Sequence, residues 1–220
     1  MLYLSYTLNK NTPSYGNRNQ FKISKQSDIS RGAVANDSTI STTVHIGTHI
    51  DMPYHFYSDG QTIEDFNIDF FAFDDILYID FEPSSLIIGD ELITLLKEKK
   101  EKEKYTMLVV KTGICNKRES SEFWENNYGF DPKIAVFLRE FFPNIRVLGF
   151  DSISVSSFSH RIIGREAHKA FLDPKNPILL LEDMDLRKLN KNTEIKELII
   201  APLRISKCDG LPCTVIAEIE

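Results

Sequence analysis

The strongest constraint on the fold of this chain is a series of short, nearly uninterrupted apolar runs from residue 76 onwards. These runs are ILYIDF at 76–81, TMLVVKTG at 106–113, IRVLGFD at 145–151 and PILLLED at 177–183. They are rich in β-branched and aromatic residues and are bounded by Gly, Pro, Asp or Asn, which is typical of β-strands. Because several of them are almost entirely apolar, we expect both faces of these strands to be covered.

Helical patterns separate these strand patterns. They lie at 89–104, 131–142 and 160–172. The second has Asp131 as a predicted N-cap and Pro132 at the first helical position. The alternation of strand and helix after residue 76 predicts an α/β fold, whereas the preceding residues predict strands and loops.

Further strand patterns lie at 2–8, 39–46, 198–205 and 214–220. No repeat, low-complexity linker or clear change of composition divides the chain, and 220 residues can form one large core. We therefore predict one α/β domain over residues 1–220, with an irregular, β-rich N-terminal portion. The mixed-charge run KEKKEKEK at 97–104 is predicted to be a solvated helix end rather than an interaction tail.

Composition limits the classes of partner and compartment. The formal net charge of -6 disfavours nucleic acid, which would require a basic surface. No apolar run approaches the ~20 residues of a membrane span, so we expect no membrane partner. The first residues lack the features of a signal peptide, and we expect a cytoplasmic protein. Its thiols, Cys115, Cys208 and Cys213, are then expected to be reduced.

Three of the five histidines fall in the segment HIGTHIDMPYHF at 45–56. The glycine and proline in this segment disfavour a helix. On a strand, His45, His49 and Asp51 would lie on one side, but full extension would hold the Cα atoms of His45 and His49 ~13 Å apart. Gly47 allows the backbone to bend. We therefore predict a strand with a bend at which His45, His49 and Asp51 converge.

Two imidazoles and a carboxylate suit a divalent ion such as zinc or manganese. A single histidine is more often a surface or hydrogen-bonded core residue, but three of them beside an aspartate favour metal binding. His55 is either another ligand or a general base. Thr48 is predicted to orient a ligand rather than to act as a nucleophile. His160 matches no pattern and is predicted to lie at the surface or at a helix start.

The segment 45–55 resembles the signature His-x-Gly-Thr-His-x-Asp-x-Pro-x-His of the cyclase-like metal-dependent hydrolase family, which includes bacterial kynurenine formamidase and isatin hydrolase. Every defined position of the signature is met. Further segments resemble the family in the expected order, namely LSYTLNKNTPSYGN, KTG, GFDSISV, AHKAF, ILLLEDMDL and APLRISKCDGLPCTVIA. The resemblance therefore extends over most of the chain.

The resemblance implies a swivelling β/β/α fold with a β-barrel-like centre, in a homodimer or larger homo-oligomer. It implies two divalent ions, Zn2+ or Mn2+, whose ligands would be His45, His49, Asp51, His168 and Glu182. Asp51 and Glu182 would be shared by both ions, and His55 would be the acid/base residue. Asp183 competes for the role of Glu182, because the segment that separates this carboxylate from His168 is slightly longer than in typical relatives.

Tyr15, in NTPSYGN, takes the place of an aromatic residue, typically Trp, that contacts the substrate in kynurenine formamidases. The usual Pro-Gly dipeptide there is Gly16-Asn17 in this chain. This departure argues against N-formylkynurenine specifically and leaves amide hydrolysis intact. Tyr15 is either a substrate-binding residue or a packing residue.

We therefore predict an enzyme, a metal-dependent amidohydrolase of small molecules. Its substrate would be an aryl formamide such as N-formylkynurenine, or a cyclic amide, attacked by metal-activated water with His55 as acid/base. One alternative is a metal-dependent cyclase or dehydratase that acts on a small hydroxy or carbonyl compound. The other is a non-catalytic metal-binding or ligand-binding protein, which His55 disfavours because metal binding alone does not require that residue.

Overall fold

A computed structural model describes residues 1–220 as a mixed α/β fold. The strands, numbered β1 to β13 in chain order, are Leu2–Tyr3, Lys22–Ser27, Asp37–Ser41, His49–Asp51, Ala72–Phe73, Ile76–Asp80, Ile87–Ile88, Met107–Lys111, Gly129–Phe130, Val147–Phe150, Leu179–Glu182, Ile195–Pro202 and Gly210–Ile219. The α-helices, α1 to α4, are Asp90–Lys97, Glu122–Glu125, Lys133–Phe141 and Arg161–Phe171. None of these helices has the length and apolar character needed to span a bilayer.

One nine-stranded sheet forms the centre of the molecule. Its order is β5-β12-β13-β4-β11-β10-β8-β6. The ninth strand, β1, pairs with Ile216 and Ala217 near the C-terminal end of β13. The strands at the two ends of this order, β5 and β6, are separated in the chain only by Asp74 and Asp75. The two edges of the sheet therefore meet, and the sheet curls into a nearly closed barrel. The predicted α/β fold with a barrel-like centre is confirmed.

The parallel half of this sheet comes from the apolar runs that dominate the sequence. Strands β6, β8, β10 and β11 pair in parallel, with α1, α3 and α4 in the successive connections. Every residue of β8 and β10 is buried. Such strands are covered on both faces, as the absence of polar alternation predicts.

Several element boundaries differ from the sequence prediction; the predicted strand 198–205, for example, is Ile195–Pro202. Helix α1 ends at Lys97 instead of 104, because the highly charged run that follows offers almost nothing to bury. The predicted strand 39–46 ends at Ser41, and 44–48 form a bend in which Gly47 has φ +59°. The predicted strand 2–8 pairs only over Leu2–Tyr3, because the chain then leaves β13 and packs on this bend. The backbone N–H of Tyr6 donates to Thr48 Oγ1 at 3.1 Å.

Strands β2 and β3 form a separate two-stranded ribbon. No residue of this ribbon is buried, and its apolar side chains Ile23 and Ile40 are 57% and 62% exposed. Isolated two-stranded ribbons are marginally stable in water. The ribbon therefore contributes nothing to the core that supports the barrel.

Candidate metal centre

The middle strand β4 positions the histidine cluster. His49 and Asp51 are two residues apart on β4, so their side chains point to the same face of the sheet. In the antiparallel register with β11, Glu182 lies directly opposite His49. On the other side of β4, Gly210 of β13 lies opposite Asp51. The register thus brings residues from three distant parts of the sequence onto one face.

A second carboxylate and a second imidazole converge on this face. His49 Nε2 lies 3.3 Å from Glu182 Oε2 and 3.5 Å from Asp51 Oδ1. His168, on α4, places its Nε2 3.6 Å from Asp51 Oδ2. The two oxygens of Asp51 therefore face different imidazoles. All four residues are almost completely buried.

Backbone carbonyls hold two of these imidazoles in orientation. His49 Nδ1 donates to the carbonyl of Gly47 at 2.8 Å, and His168 Nδ1 donates to the carbonyl of Gly164 at 2.7 Å. With the proton on Nδ1, each ring directs the lone pair of Nε2 at the carboxylates. This is the arrangement by which proteins orient metal-binding histidines.

The hydrogen bonding within this cluster is incomplete. His49 Nε2 and Asp51 Oδ2 are buried and have no hydrogen-bond partner. Buried polar atoms are rarely left unpaired, because each costs a substantial part of its hydration free energy. A divalent cation would satisfy both atoms, and imidazole and carboxylate are its preferred donors. The residues present therefore fit a metal ion.

His45 belongs to the cluster but is held differently. Its Nδ1 lies 2.8 Å from Asp51 Oδ1, and its Nε2 lies 2.7 Å from Asp209 Oδ2. Its ring sits over Gly210, where a Cβ atom would come within 2.5 Å of it. Both ring nitrogens are thus engaged by carboxylates, and one of them must be released before His45 can bind a metal.

The pKa values follow from this crowding of carboxylates and imidazoles. Burial by itself would lower the pKa of His45, but Asp51 and Asp209 raise it to about 10. Burial would raise the pKa of Asp51, yet His45 and the other imidazoles hold it below its ordinary value. For His168 burial dominates and lowers the pKa, which favours the neutral imidazole that a metal requires.

His55 lies beside the cluster at the pocket wall. Its ring centroid is 4.1 Å from that of His45 and 5.6 Å from that of His168. Its Nδ1 is 3.2 Å from Asp209 Oδ2. Hydrogen bonds from the two imidazoles, His45 and His55, keep the pKa of Asp209 below its usual range. Asp209 was not predicted from the sequence, because only the register of β13 beside β4 brings its carboxylate to His45 and His55.

Glu182 and Asp183 point to opposite sides of the end of β11. The Glu182 carboxylate faces the cluster and accepts the backbone N–H of Val155 at 2.7 Å. The Asp183 carboxylate accepts two hydrogen bonds from Arg118, at 2.8 and 2.7 Å. Of the two competing carboxylates, only Glu182 therefore faces the imidazoles. Buried Thr48 donates to the carbonyl of Asp183 and so ties β4 to this end of β11.

The cluster opens into a pocket of about 390 Å³. Tyr15 lines it, with its ring centroid 5.5 Å from that of Phe158 and its hydroxyl 3.2 Å from Ser156 Oγ. His160 is exposed, immediately precedes α4 and does not line the pocket. A larger cleft, about 1080 Å³, runs along the N-terminal segment and contains none of the histidines.

A family model described as "Putative cyclase" matches residues 2–157. Kynurenine formamidase from Bacillus cereus is 27% identical over 212 residues, which cover 95% of this chain and 92% of that relative. Kynurenine formamidase from Bacillus anthracis is 29% identical over 180 residues, which cover 80% of this chain and 77% of that relative.

Two solved structures show the same fold. Isatin hydrolase A from Labrenzia aggregata has a TM-score of 0.79 at 21% identity, with 98% of this chain and 92% of that chain covered. A protein from Bacillus stearothermophilus described as a predicted metal-dependent hydrolase has a TM-score of 0.72 at 18% identity, with 98% and 96% covered.

Proposed function

Because this chain belongs to the family described as putative cyclases, we propose that it is a metal-dependent enzyme that hydrolyses an amide bond of a small molecule. Relatives named kynurenine formamidase and neighbours named isatin hydrolase indicate an amidohydrolase, in agreement with the sequence prediction. The observation that carries the proposal is a buried set of potential metal ligands, namely His49, Asp51, His168 and Glu182. Two of their atoms, His49 Nε2 and Asp51 Oδ2, lack hydrogen-bond partners.

We propose up to two divalent ions, zinc or manganese, at this centre. The support is that Oδ1 of Asp51 faces His45 and His49, whereas Oδ2 faces His168. A carboxylate with its two oxygens directed at separate imidazole groups suits a bridging position. Glu182 would be the second shared carboxylate, as the family resemblance implies.

The ion would supply Lewis acidity that polarises the amide carbonyl and lowers the pKa of a water molecule. His55 would then transfer a proton to the leaving nitrogen. A hydrogen bond from its Nδ1 to Asp209 would hold the ring and leave Nε2 for proton exchange. Phe56 stacks on His168 with centroids 4.5 Å apart and 15° between the ring planes, so it shields that imidazole from water.

The proposed substrate remains an aryl formamide or a cyclic amide. A pocket of this volume accommodates one small aromatic molecule. Tyr15 would contact it from the wall beside Phe158. The predictions of a cytoplasmic location and of a homo-oligomer are kept as proposals that rest on the sequence and the family resemblance.

The test is metal content per chain, measured by elemental analysis before and after chelation, together with hydrolysis of formanilide. We expect up to two zinc or manganese ions per chain and turnover that disappears with the metal and returns on its addition. The variant His49→Gln should lose metal and turnover. The control variant His160→Gln, which changes an exposed histidine outside the pocket, should lose neither.

Two results would contradict the proposal in different ways. A chain that binds no zinc or manganese even after addition has no metal centre at these residues. A metal-loaded chain that hydrolyses neither formamides nor cyclic amides is not an amidohydrolase, and dehydration or simple binding would replace that function.

A further inference from the structure

Three arginines line the pocket beyond the proposed metal ligands. Arg18, Arg161 and Arg165 form this cationic rim. None of the three lies within ion-pair distance of a carboxylate, whereas Arg118 and Arg187 are paired with Asp183 and Asp185. Unpaired guanidinium groups beside a pocket are available to bind an anion.

Helix α4 ties the rim to the metal centre. Arg161, Arg165 and His168 follow the spacing i, i+4, i+7, which places them on one face of the helix. Arg165 and Arg161 precede His168 by three and seven residues, or ~4.5 and ~10.5 Å along the axis. A substrate whose amide lies at the metal centre can therefore reach the guanidinium groups with a group on the far side of one aromatic ring.

Phe158 holds the outer part of the rim in place. The Arg161 guanidinium carbon lies 4.2 Å from the centroid of this ring, and that of Arg18 lies 5.7 Å from it. Arg161 Nε also donates to the Phe158 carbonyl at 3.3 Å. The two guanidinium groups are thus organised around one aromatic ring before any ligand binds.

The charges of the remaining pocket wall have one sign. The only carboxylates that line the pocket are Asp51 and Glu182, and both belong to the proposed metal ligands. Once a metal ion engages them, the wall offers cations to a substrate and no anion. This is notable in a chain whose formal net charge is -6.

We infer that the pocket selects an anionic amide, one that carries a carboxylate without a compensating ammonium group, and that Arg161 and Arg165 bind this carboxylate with Arg18 beside them. The inference rests on the proposed amidohydrolase function and names its class of substrate. An ammonium group would find no carboxylate partner on the wall, so a zwitterionic amino acid amide would be disfavoured.

Two matched pairs of formamides test the inference on the metal-loaded enzyme. 4-Formamidobenzoate and its methyl ester differ in charge, and the para carboxylate points away from the formamide. The ester is the more electron-withdrawing substituent and favours hydrolysis of the neutral compound, so a preference for the acid cannot come from the leaving group. 3-(4-Formamidophenyl)propanoate and 4-formamidophenylalanine differ only by an ammonium group. We expect kcat/KM to be at least about tenfold higher for the anion in each pair, mainly through KM, and to decline with salt.

The double variant Arg161→Gln/Arg165→Gln should abolish the preference in both pairs. The control Arg204→Gln removes an exposed arginine that does not line the pocket and should keep the preference. Equal kcat/KM within the pairs would overturn the inference, and so would a preference that survives in the double variant, because the carboxylate would then bind elsewhere.

Failure of the proposed function is distinguishable from failure of this inference. If the enzyme cleaves the formamide bond of the methyl ester as fast as that of the acid, the proposed amidohydrolase function stands and the anion site is rejected. If no formamide is hydrolysed, the binding of 4-formamidobenzoate, measured by calorimetry, tests the anion site. Binding that is at least about tenfold weaker in the double variant supports the site. Unchanged or undetectable binding rejects it.

Discussion

Two buried polar regions lie on opposite sides of the end of β11, and they differ in how completely the protein satisfies them. On one side, the Asp183 carboxylate accepts two hydrogen bonds from Arg118, whose guanidinium also lies 3.7 Å from the Tyr6 ring centroid. On the other side, the cluster around Asp51 leaves His49 Nε2 and Asp51 Oδ2 without partners. The last residue of β11, Glu182, and the residue that follows it, Asp183, thus supply the two regions.

The difference separates a structural polar region from a ligand site. In a buried ion pair whose hydrogen bonds are all made, each charged group already has its partner, so the pair needs no further ligand. Asp151 is a second buried carboxylate whose hydrogen bonds are made within the protein, since it accepts the backbone N–H groups of Thr112 and Gly113 at 2.9 Å. A cluster that stays incomplete in the folded chain instead leaves buried atoms available to the proposed cation.

The largest effect on the incomplete side is expected from Asp51→Asn. This change removes the carboxylate that faces both imidazole groups, so metal content should fall to the background level while the chain stays folded. Turnover should fall more than ~10⁴-fold, since Lewis acid catalysis contributes several kcal/mol. Elemental analysis and formanilide hydrolysis measure the two effects. Full metal content in this variant would show that Asp51 is not a ligand.

A narrower effect is expected from His55→Gln, which removes the proposed acid/base residue. Turnover should fall ~10²–10⁴-fold, because general acid–base catalysis contributes that much, while metal content stays unchanged. The matched control His160→Gln should retain turnover. Full activity in the His55 variant would remove this residue from the mechanism, and loss of metal would make it a ligand instead.

On the complete side, Asp183→Asn should act on stability and not on metal binding. It leaves the Arg118 guanidinium, whose side chain is 11% exposed, without its counter-charge. We expect the free energy of unfolding to decrease by about 3–5 kcal/mol, the usual cost of removing one partner of a buried pair. Urea unfolding with metal analysis of the folded variant measures this. Loss of metal in the folded variant would contradict the assignment of Glu182 as the ligand.

The smallest effect is expected from Asp209→Asn. The amide keeps the size of the side chain but loses the charge that holds His45 and His55. We expect turnover to fall ~10–100-fold, as for other residues that orient ligands or catalytic groups. Glutamate at this position should restore part of the activity. Wild-type kcat/KM in the asparagine variant would show that the charge of Asp209 does not position His55.

The sequence predicts much of this fold because its signals are local. The apolar runs identify β6, β8, β10 and β11, and the helical patterns between them identify α1, α3 and α4. The segment 45–55 likewise identifies one half of the candidate site from its spacing alone. His168 and Glu182 required the family resemblance, because each is an isolated residue whose neighbours in sequence say nothing about a metal.

Asp209, Gly210 and the cationic rim could not be predicted in this way. Asp209 and Gly210 lie beside His45 only because β13 pairs with β4 in one register. The arginines of α4 have helical spacing relative to His168, but the sequence does not reveal that they lack carboxylate partners. That property depends on what surrounds them in space.

By itself, the sequence determined most of the strands and helices that form the barrel and its cover, and which side chains share a face of each. Those properties depend on the periodicities of two and 3.6 residues, which act over a few residues. The tertiary structure alone decided which faces meet. A slip of one residue between β4 and β11 would direct Asp183 rather than Glu182 at His49, and only burial of the whole sheet in one register excludes that pairing.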